Sequence, residues 1–334
     1  MHFTVCDGIY ATVLSERVTE EVNMLQFDSV SVRFGEHHVQ AVDDVTFTVS
    51  DGERCVVVGE TGSGKSVLLL SVLGLLPETA KISGKIILEN QELLTMDEHE
   101  LQRLRGRIIG YVPQGGGNSL NPLMRIGEQV SEPLVVHNEI KKPIAWQRAI
   151  QLLEQLHMER PERALCRYPH QFSGGMRQRA LIAMGIIADT KLLLADEPTK
   201  GLDRANIDRT ARTFLELEGK TLLCVTHDLR FARQIADTIT VMYAGQIVES
   251  SPMADFFQAP LHPYGRALVE AMPENGMTIR MGFAPMNTEV STMGCRFARR
   301  CESSTSRCIA KAPPLIKTAD GRKVRCWLYE SYMD

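Results

Sequence analysis

Apolar and polar residues alternate through LQFDSVSVRF and VDDVTFTVS, and this two-residue period predicts two half-buried strands lying antiparallel to each other. The pattern then changes. RCVVVGE is a short continuous apolar run, of the kind buried on both faces of a parallel sheet. A glycine-rich loop and a helix over about Lys65 to Leu75 follow it. Similar runs recur in RIIGYVP, KLLLADEP, TLLCVTHD and TITVMY, with helical stretches between several of them. Strand and helix in alternation predict an α/β core with a mainly parallel sheet. Residues 121–171 read instead as helices alone, punctuated by Pro122, Pro133, Pro143, Pro161 and Pro169, and predict an inserted helical lobe. After AGQIVES the sheet signal ends. Two short helices, MADFFQA and PYGRALVEAM, then lead into a proline- and cysteine-bearing tail of little periodicity.

Composition narrows this picture only slightly. A formal net charge of -4 gives no global reason to expect a nucleic-acid partner. The longest apolar run, SVLLLSVLGLL, is about half the ~20 residues a membrane-spanning helix needs, so a buried helix is expected there. The N-terminal stretch MHFTVCDGIYATVLSERVTEEVN lacks the basic and apolar regions of a secretory signal. Residues 1–23 read either as a loose extension or as lying before a native start at Met24, with an ordered N-terminal strand as the alternative. The chain is expected in the cytoplasm, where thiols stay reduced.

Candidate chemistry begins at Gly59, Glu60, Thr61, Gly62, Ser63, Gly64, Lys65 and Ser66, which spell G-x-x-x-x-G-K-S between a predicted strand and helix. Glycines there let backbone N–H groups turn inward around phosphate oxygens, and the helix adds its positive dipole end. Lys65 is expected to reach the β- and γ-phosphates and the Ser66 hydroxyl to ligate Mg²⁺. KLLLADEP carries Asp196 to the carboxyl end of a buried strand, where open α/β sheets bind ligands. A carboxylate at that end can hold Mg²⁺, usually through water. Glu197, next in line, stands where a carboxylate can polarise or deprotonate an attacking water. These parts define a nucleoside triphosphatase.

The stretch QFSGGMRQRALIAMGII chooses among its kinds. Two glycines at a helix start make a second anion cradle in a chain that already has one, as expected if this cradle closes on a nucleotide held by another subunit. Here the sequence resembles the ATP-binding cassette (ABC) family over about Leu25 to Met272, with five motifs in the family's order. The resemblance implies that Phe34 stacks on adenine and that Gln114 senses Mg²⁺ and the attacking water. It implies that Ser173, Gly174 and Gly175 touch the opposite γ-phosphate, that Asp203 lies in the dimer-contact loop, and that His227 is the switch histidine. Phe172 and Met176 depart from the commonest signature residues, and GGGNS after Gln114 is unusually glycine-rich. The implied fold is a P-loop NTPase ABC ATPase domain over 24–272, with a mainly parallel sheet, an antiparallel β subdomain and a helical subdomain at about 121–171. A small Cys-rich C-terminal metal-cluster domain would follow over 273–334.

AVDDVTF, NSLNP, RYPHQFSGGMRQR, APLHPYGRALVEAMP and the tail GCRFARRC resemble the ATPases of the oligopeptide, dipeptide and nickel importer group. In that tail Cys295, Cys301, Cys308 and Cys326 favour a metal centre over disulfides, either tetrahedral Zn²⁺ or an iron–sulfur cluster. The resemblance implies a 4Fe–4S cluster. Nine basic residues against Glu302 and Asp320 predict a positive field that lowers the thiol pKa values. Cys55 and Cys224 read as small core residues.

The resemblance further implies ATP and Mg²⁺ as ligands and a peripheral place on the cytoplasmic face of the inner membrane. Its implied partners are two membrane permeases, a second homologous ATPase in a heterodimer and an extracytoplasmic substrate-binding protein, with no nucleic acid. Peptide is the expected cargo, with nickel or opine uptake as the alternative. A soluble non-transport ABC ATPase would carry a coiled coil or zinc insertion between the two loops, and none is present. Intact Glu197 and His227 argue against a regulator that uses ATP only as a switch.

Overall fold

The computed structural model describes residues 23–35, 39–115, 119–217, 219–276 and 293–332. The expected extension before Asn23 and Cys6 lie outside them. β1 (Asn23–Phe34) and β2 (Val39–Ser50) are the two alternating segments, and they pair antiparallel with Gln26 opposite Thr48. Phe27 and Phe47 face each other across this pair and stack at 4.6 Å, the cross-strand contact that helps hold the register. β3 (Arg54–Val58) leads through the glycine loop into α1 (Lys65–Leu73), which Gly74 ends in a left-handed cap. β4 (Ala80–Leu88) and the short β5 (Gln91–Glu92) complete a four-stranded sheet in the order β2-β1-β4-β5. β4 has no counterpart among the predicted strands; KISGKIIL carries an alternating signal that its central Gly84 interrupts.

α2 (Glu98–Leu104) and β6 (Ile109–Val112) precede the helical lobe. The lobe holds α3 (Ile126–His137), α4 (Lys142–Gln155) and α5 (Pro161–Leu165), within the predicted span. α6 (Gly174–Ile186), β7 (Leu192–Asp196), α7 (Arg204–Leu215), β8 (Thr221–Thr226), α8 (Leu229–Ile235) and β9 (Thr238–Tyr243) return the chain to the core. β6, β7, β8, β3 and β9 are mutually parallel in that order.

Each central strand is buried on both faces, as its continuous apolar run requires. Val56, Val58, Leu193, Ala195 and Cys224 join the cluster that includes the helical lobe. Their alternates Cys55, Val57, Leu192, Leu194 and Leu223 join the cluster shared with α1 and the antiparallel sheet. Cys55 and Cys224 are thus core residues, at 1% and 0% exposure.

β6 and α6 approach closely at Gly110, where an added Cβ would lie 1.9 Å from the Gly185 carbonyl oxygen. Gly110→Ala is expected to lower stability by about 2–3 kcal/mol, because backbone cannot yield as a flexible side chain does. Urea unfolding monitored by circular dichroism measures this, and an unchanged midpoint would show that the strand–helix spacing is adjustable.

The sheet does not end after AGQIVES. β10 (Gln246–Pro252) runs antiparallel to β9, followed by α9 (Met253–Gln258) and α10 (Pro263–Glu270). Beyond α11 (Ser306–Ala310), the tail adds β11 (Ile316–Lys317) and β12 (Lys323–Val324), with β12 pairing with β10. Two-residue strands carry no readable period, so only the exposed edge of β10 reveals where they pair. Phe297 enters the main core beside Tyr243 and Tyr264, so the cysteine-bearing tail is built onto the body of the sheet. No helix among the described residues is long and apolar enough to cross a membrane.

Candidate active site

The order β7-β8-β3 places three strand ends side by side, and each delivers one part of the site. From β3 comes the loop Gly59–Gly64, where Gly64 has φ +101° and an added Cβ would lie 2.2 Å from the Ala41 carbonyl oxygen. Lys65 is 5% exposed, and its Nζ donates to the carbonyls of Gly59 and Glu60 at 2.7 and 2.9 Å. Burial lowers its pKa, against the raising effect of Glu197, Asp196 and Glu60.

From β7 come Asp196 and Glu197, both buried. The Ser66 hydroxyl donates to Asp196 Oδ1 at 2.9 Å, which joins the two sequence-predicted Mg²⁺ ligands across 130 positions of chain. Burial raises the Asp196 pKa, partly opposed by that hydrogen bond. Glu197 holds φ +47°, an uncommon conformation for a residue with a side chain and one that clusters at functional sites.

From β8 comes His227. Its Nδ1 lies 2.7 Å from Glu197 Oε2, the same oxygen that accepts the His227 backbone N–H at 3.3 Å. The other Glu197 oxygen lies 4.0 Å from Lys65 Nζ. One buried carboxylate therefore bridges the phosphate-loop lysine and the histidine.

The remaining expected residues are arranged differently. Ser173 is exposed and caps α6 by accepting the Met176 N–H at 3.3 Å, with exposed Gly174 and buried Gly175 in the helix's first turn. Asp203 caps α7 and also accepts from the Asn206 amide at 2.9 Å. Asn206 sits against Gly175, so the signature turn and the Asp203 turn touch. Among the described residues no hydrogen bond or ion pair joins Ser173 or Asp203 to the phosphate loop of the same chain. Beside Ser173 opens a cleft of about 870 Å³ lined by Arg160, Arg163, Arg167, Arg179, Arg209 and Arg212. Phe34 is half-buried at the end of β1. Gln114 is exposed at the end of β6, where its carbonyl accepts from the Ser119 hydroxyl at 3.0 Å. Thr61 and Gly62 are exposed at the loop tip, whereas Ser63 is buried.

Cys295, Cys301, Cys308 and Cys326 line a single cavity of about 230 Å³, together with His262 and Trp327. None is in a disulfide. Among the described residues no three His, Cys, Asp or Glu side chains converge on a point that would hold one ion. The expected lowering of thiol pKa is overturned. Burial pushes Cys295 up to about 11 and raises Cys301 and Cys326, with neighbouring thiols adding to the shift. Burial outweighs the positive field, and three of the tail arginines pair with carboxylates from the opposite end of the chain: Arg296 with Asp43, Arg300 with Glu60 and Arg325 with Asp44. Burial also drives His262 down to about 3, so it faces the cavity as a neutral imidazole. Sequence reading missed Tyr264, whose hydroxyl accepts the Glu60 N–H at 2.9 Å from 204 positions away. No local signal marks such a contact.

A phosphate loop after a central parallel strand, with carboxylates ending a neighbouring one, defines a P-loop nucleotide-binding protein. Comparison with known proteins narrows this class. Residues 42–200 match the model of the ABC transporter family, and residues 248–308 match that of the oligopeptide/dipeptide transporter C-terminal region. The oligopeptide transport ATP-binding protein AppD of Bacillus subtilis is 38% identical over 87% of this chain and 92% of its own length. The dipeptide transport ATP-binding protein DppD of Escherichia coli is 39% identical over 91% of this chain and 96% of its own. A solved post-hydrolysis dimer of the ATP-binding cassette MJ0796 with ADP and Pi superimposes with TM-score 0.62 at 29% identity. It covers 69% of this chain and 99% of that one. The chain belongs to the ABC transporter family.

Proposed function

We propose that this chain is the ATP-hydrolysing subunit of an importer that powers peptide uptake across the cytoplasmic membrane. The observation that carries the reading is the convergence of Lys65, Ser66, Asp196, Glu197 and His227 at three adjacent strand ends. Its relatives, named as oligopeptide and dipeptide transport ATP-binding proteins along nearly their whole length, supply the cargo class.

The loop from Gly59 to Ser66 would hold the β- and γ-phosphates, with Phe34 against the adenine. Ser66, Asp196 and Gln114 would hold Mg²⁺, and the 2.9 Å Ser66–Asp196 contact shows two of these donors already side by side. When bound, Mg²⁺ neutralises charge on the phosphate oxygens. Glu197 would orient and deprotonate the attacking water, and His227, held by that carboxylate, would position the γ-phosphate. Among the described residues Ser173 and Asp203 make no hydrogen bond or ion pair to this chain's own loop, and the arginine-rich cleft beside Ser173 is suited to an anion. Both features support completion of each site by a second, homologous ATPase subunit, a heterodimer in this group. Two permeases and an extracytoplasmic binding protein would complete the complex, with this chain peripheral on the cytoplasmic face.

The C-terminal region, 273–334, would carry a 4Fe–4S cluster on Cys295, Cys301, Cys308 and Cys326. Four thiols outside any disulfide around one cavity support this reading.

Proteoliposomes holding the assembled complex test the transport reading. ATP-dependent accumulation of a labelled dipeptide or oligopeptide is expected. Accumulation of a nickel chelate or opine with no peptide uptake would replace the cargo assignment.

A further inference from the structure

Glu60 puts a carboxylate into the phosphate loop, where an uncompensated negative charge would repel a triphosphate. The tail supplies the answer. Arg300 donates to both Glu60 oxygens, at 2.9 and 3.0 Å, in a bidentate pair whose side chains are only 14% and 29% exposed. Its guanidinium also donates to the Tyr243 hydroxyl at 3.3 Å and lies 5.6 Å from the ring centres of Tyr243 and Phe297. Four positions earlier, Arg296 donates to the Ala244 carbonyl and to Asp43. The adjoining Gly245 N–H donates to the Ser63 carbonyl of the loop at 2.9 Å. Arg296 and Arg300 are the immediate neighbours of Cys295 and Cys301, so one short segment lines the cysteine cavity, grips the phosphate loop directly at Glu60 and backs it indirectly through the Ala244–Gly245 turn.

We propose that Arg300 is a positioning residue for the phosphate loop: it neutralises and anchors Glu60, and through it the cysteine-bearing tail sets the affinity for nucleoside triphosphate. This rests on the reading of Gly59–Ser66 as the ATP phosphate loop. Loss of the guanidinium leaves a half-buried carboxylate unpaired beside the incoming phosphates and releases one anchor of the loop. The bidentate fork is specific to arginine, because lysine presents a single point charge.

The test uses the full-length chain and a fluorescent ATP analogue with Mg²⁺. Arg300→Met is expected to weaken binding about tenfold, the scale of one charge-assisted pair, while kcat at saturating ATP stays within about twofold. Arg300→Lys should fall between Met and the natural residue. Adding Glu60→Gln to Arg300→Met should recover most of the lost affinity, because the uncompensated charge is then gone. A purely structural arginine would instead lower the melting temperature without nucleotide and leave the affinity of the folded protein unchanged. Unchanged affinity in Arg300→Met, or additive losses in the double variant, would overturn the inference. Lys65→Ala separates this from the underlying reading. If it abolishes binding while Arg300→Met has no effect, only the role of Arg300 falls. If Lys65→Ala binds normally, the phosphate-loop assignment itself falls.

Discussion

Glu197→Gln is expected to cut steady-state ATP hydrolysis by about 10²–10⁴-fold while leaving nucleotide affinity nearly unchanged. The substitution preserves shape. Glutamine keeps an oxygen that can accept from the Thr226 hydroxyl and the His227 N–H, which both meet Glu197 Oε2 at 3.3 Å. The same oxygen can accept from the His227 Nδ1–H, whose nitrogen lies 2.7 Å from Glu197 Oε2, so the histidine need not move. Backbone strain at φ +47° is the same for both residues. What is lost is the negative charge, and with it the ability to accept a proton from water. The attraction to Lys65 at 4.0 Å is lost as well, but Lys65 retains the Gly59 and Glu60 carbonyls. Single-turnover hydrolysis and equilibrium binding on the same preparation separate the two effects. Turnover close to that of the natural protein would remove Glu197 from the role of base and leave Asp196 or solvent to be considered.

The second large effect concerns the tail. Protein purified anaerobically should contain iron and acid-labile sulfide and absorb visible light, and the double variant Cys301→Ser/Cys308→Ser should lose all three. Both residues are half-exposed, so oxygen replaces sulfur there with less disturbance than at the buried Cys326. Serine is a far poorer ligand for iron than thiolate, and two lost ligands out of four leave too few to retain a cluster. One zinc per chain without sulfide would replace the cluster with a single ion. Metal-free protein with full transport activity would reduce the four cysteines to packing.

Much of the site was legible because its parts are local. The phosphate loop is contiguous, and its glycines, Lys65 and Ser66 are adjacent in sequence as in space. Asp196 and Glu197 announce themselves by ending a run of buried apolar residues, and His227 does the same after TLLCVT. The helical lobe was visible because prolines and the 3.6-residue period punctuate it. β4 escaped because Gly84 breaks its alternation, and the edge strands β11 and β12 escaped because two residues make no period.

The thiol chemistry shows the opposite limit. A count of charges within the tail predicts a positive field, yet three of its arginines, Arg296, Arg325 and Arg300, are paired with Asp43, Asp44 and Glu60 from the other end of the chain. Burial then dominates and moves the thiols upward. Electrostatic influence falls with distance in space, and a sequence lists its charges by distance along the chain.

By itself, then, the order of residues determined the family, the candidate phosphate loop, the paired carboxylates and the four candidate cysteine ligands, since each is carried by a short motif or a short-range period. Only the tertiary structure decided that Glu197 bridges Lys65 and His227, that the cysteines share one cavity, and that Arg300 reaches Glu60 across 240 positions. Those contacts form because parallel strands distant in sequence lie side by side and an edge strand recruits the tail. No local pattern encodes which distant partner a side chain meets when the sheet closes.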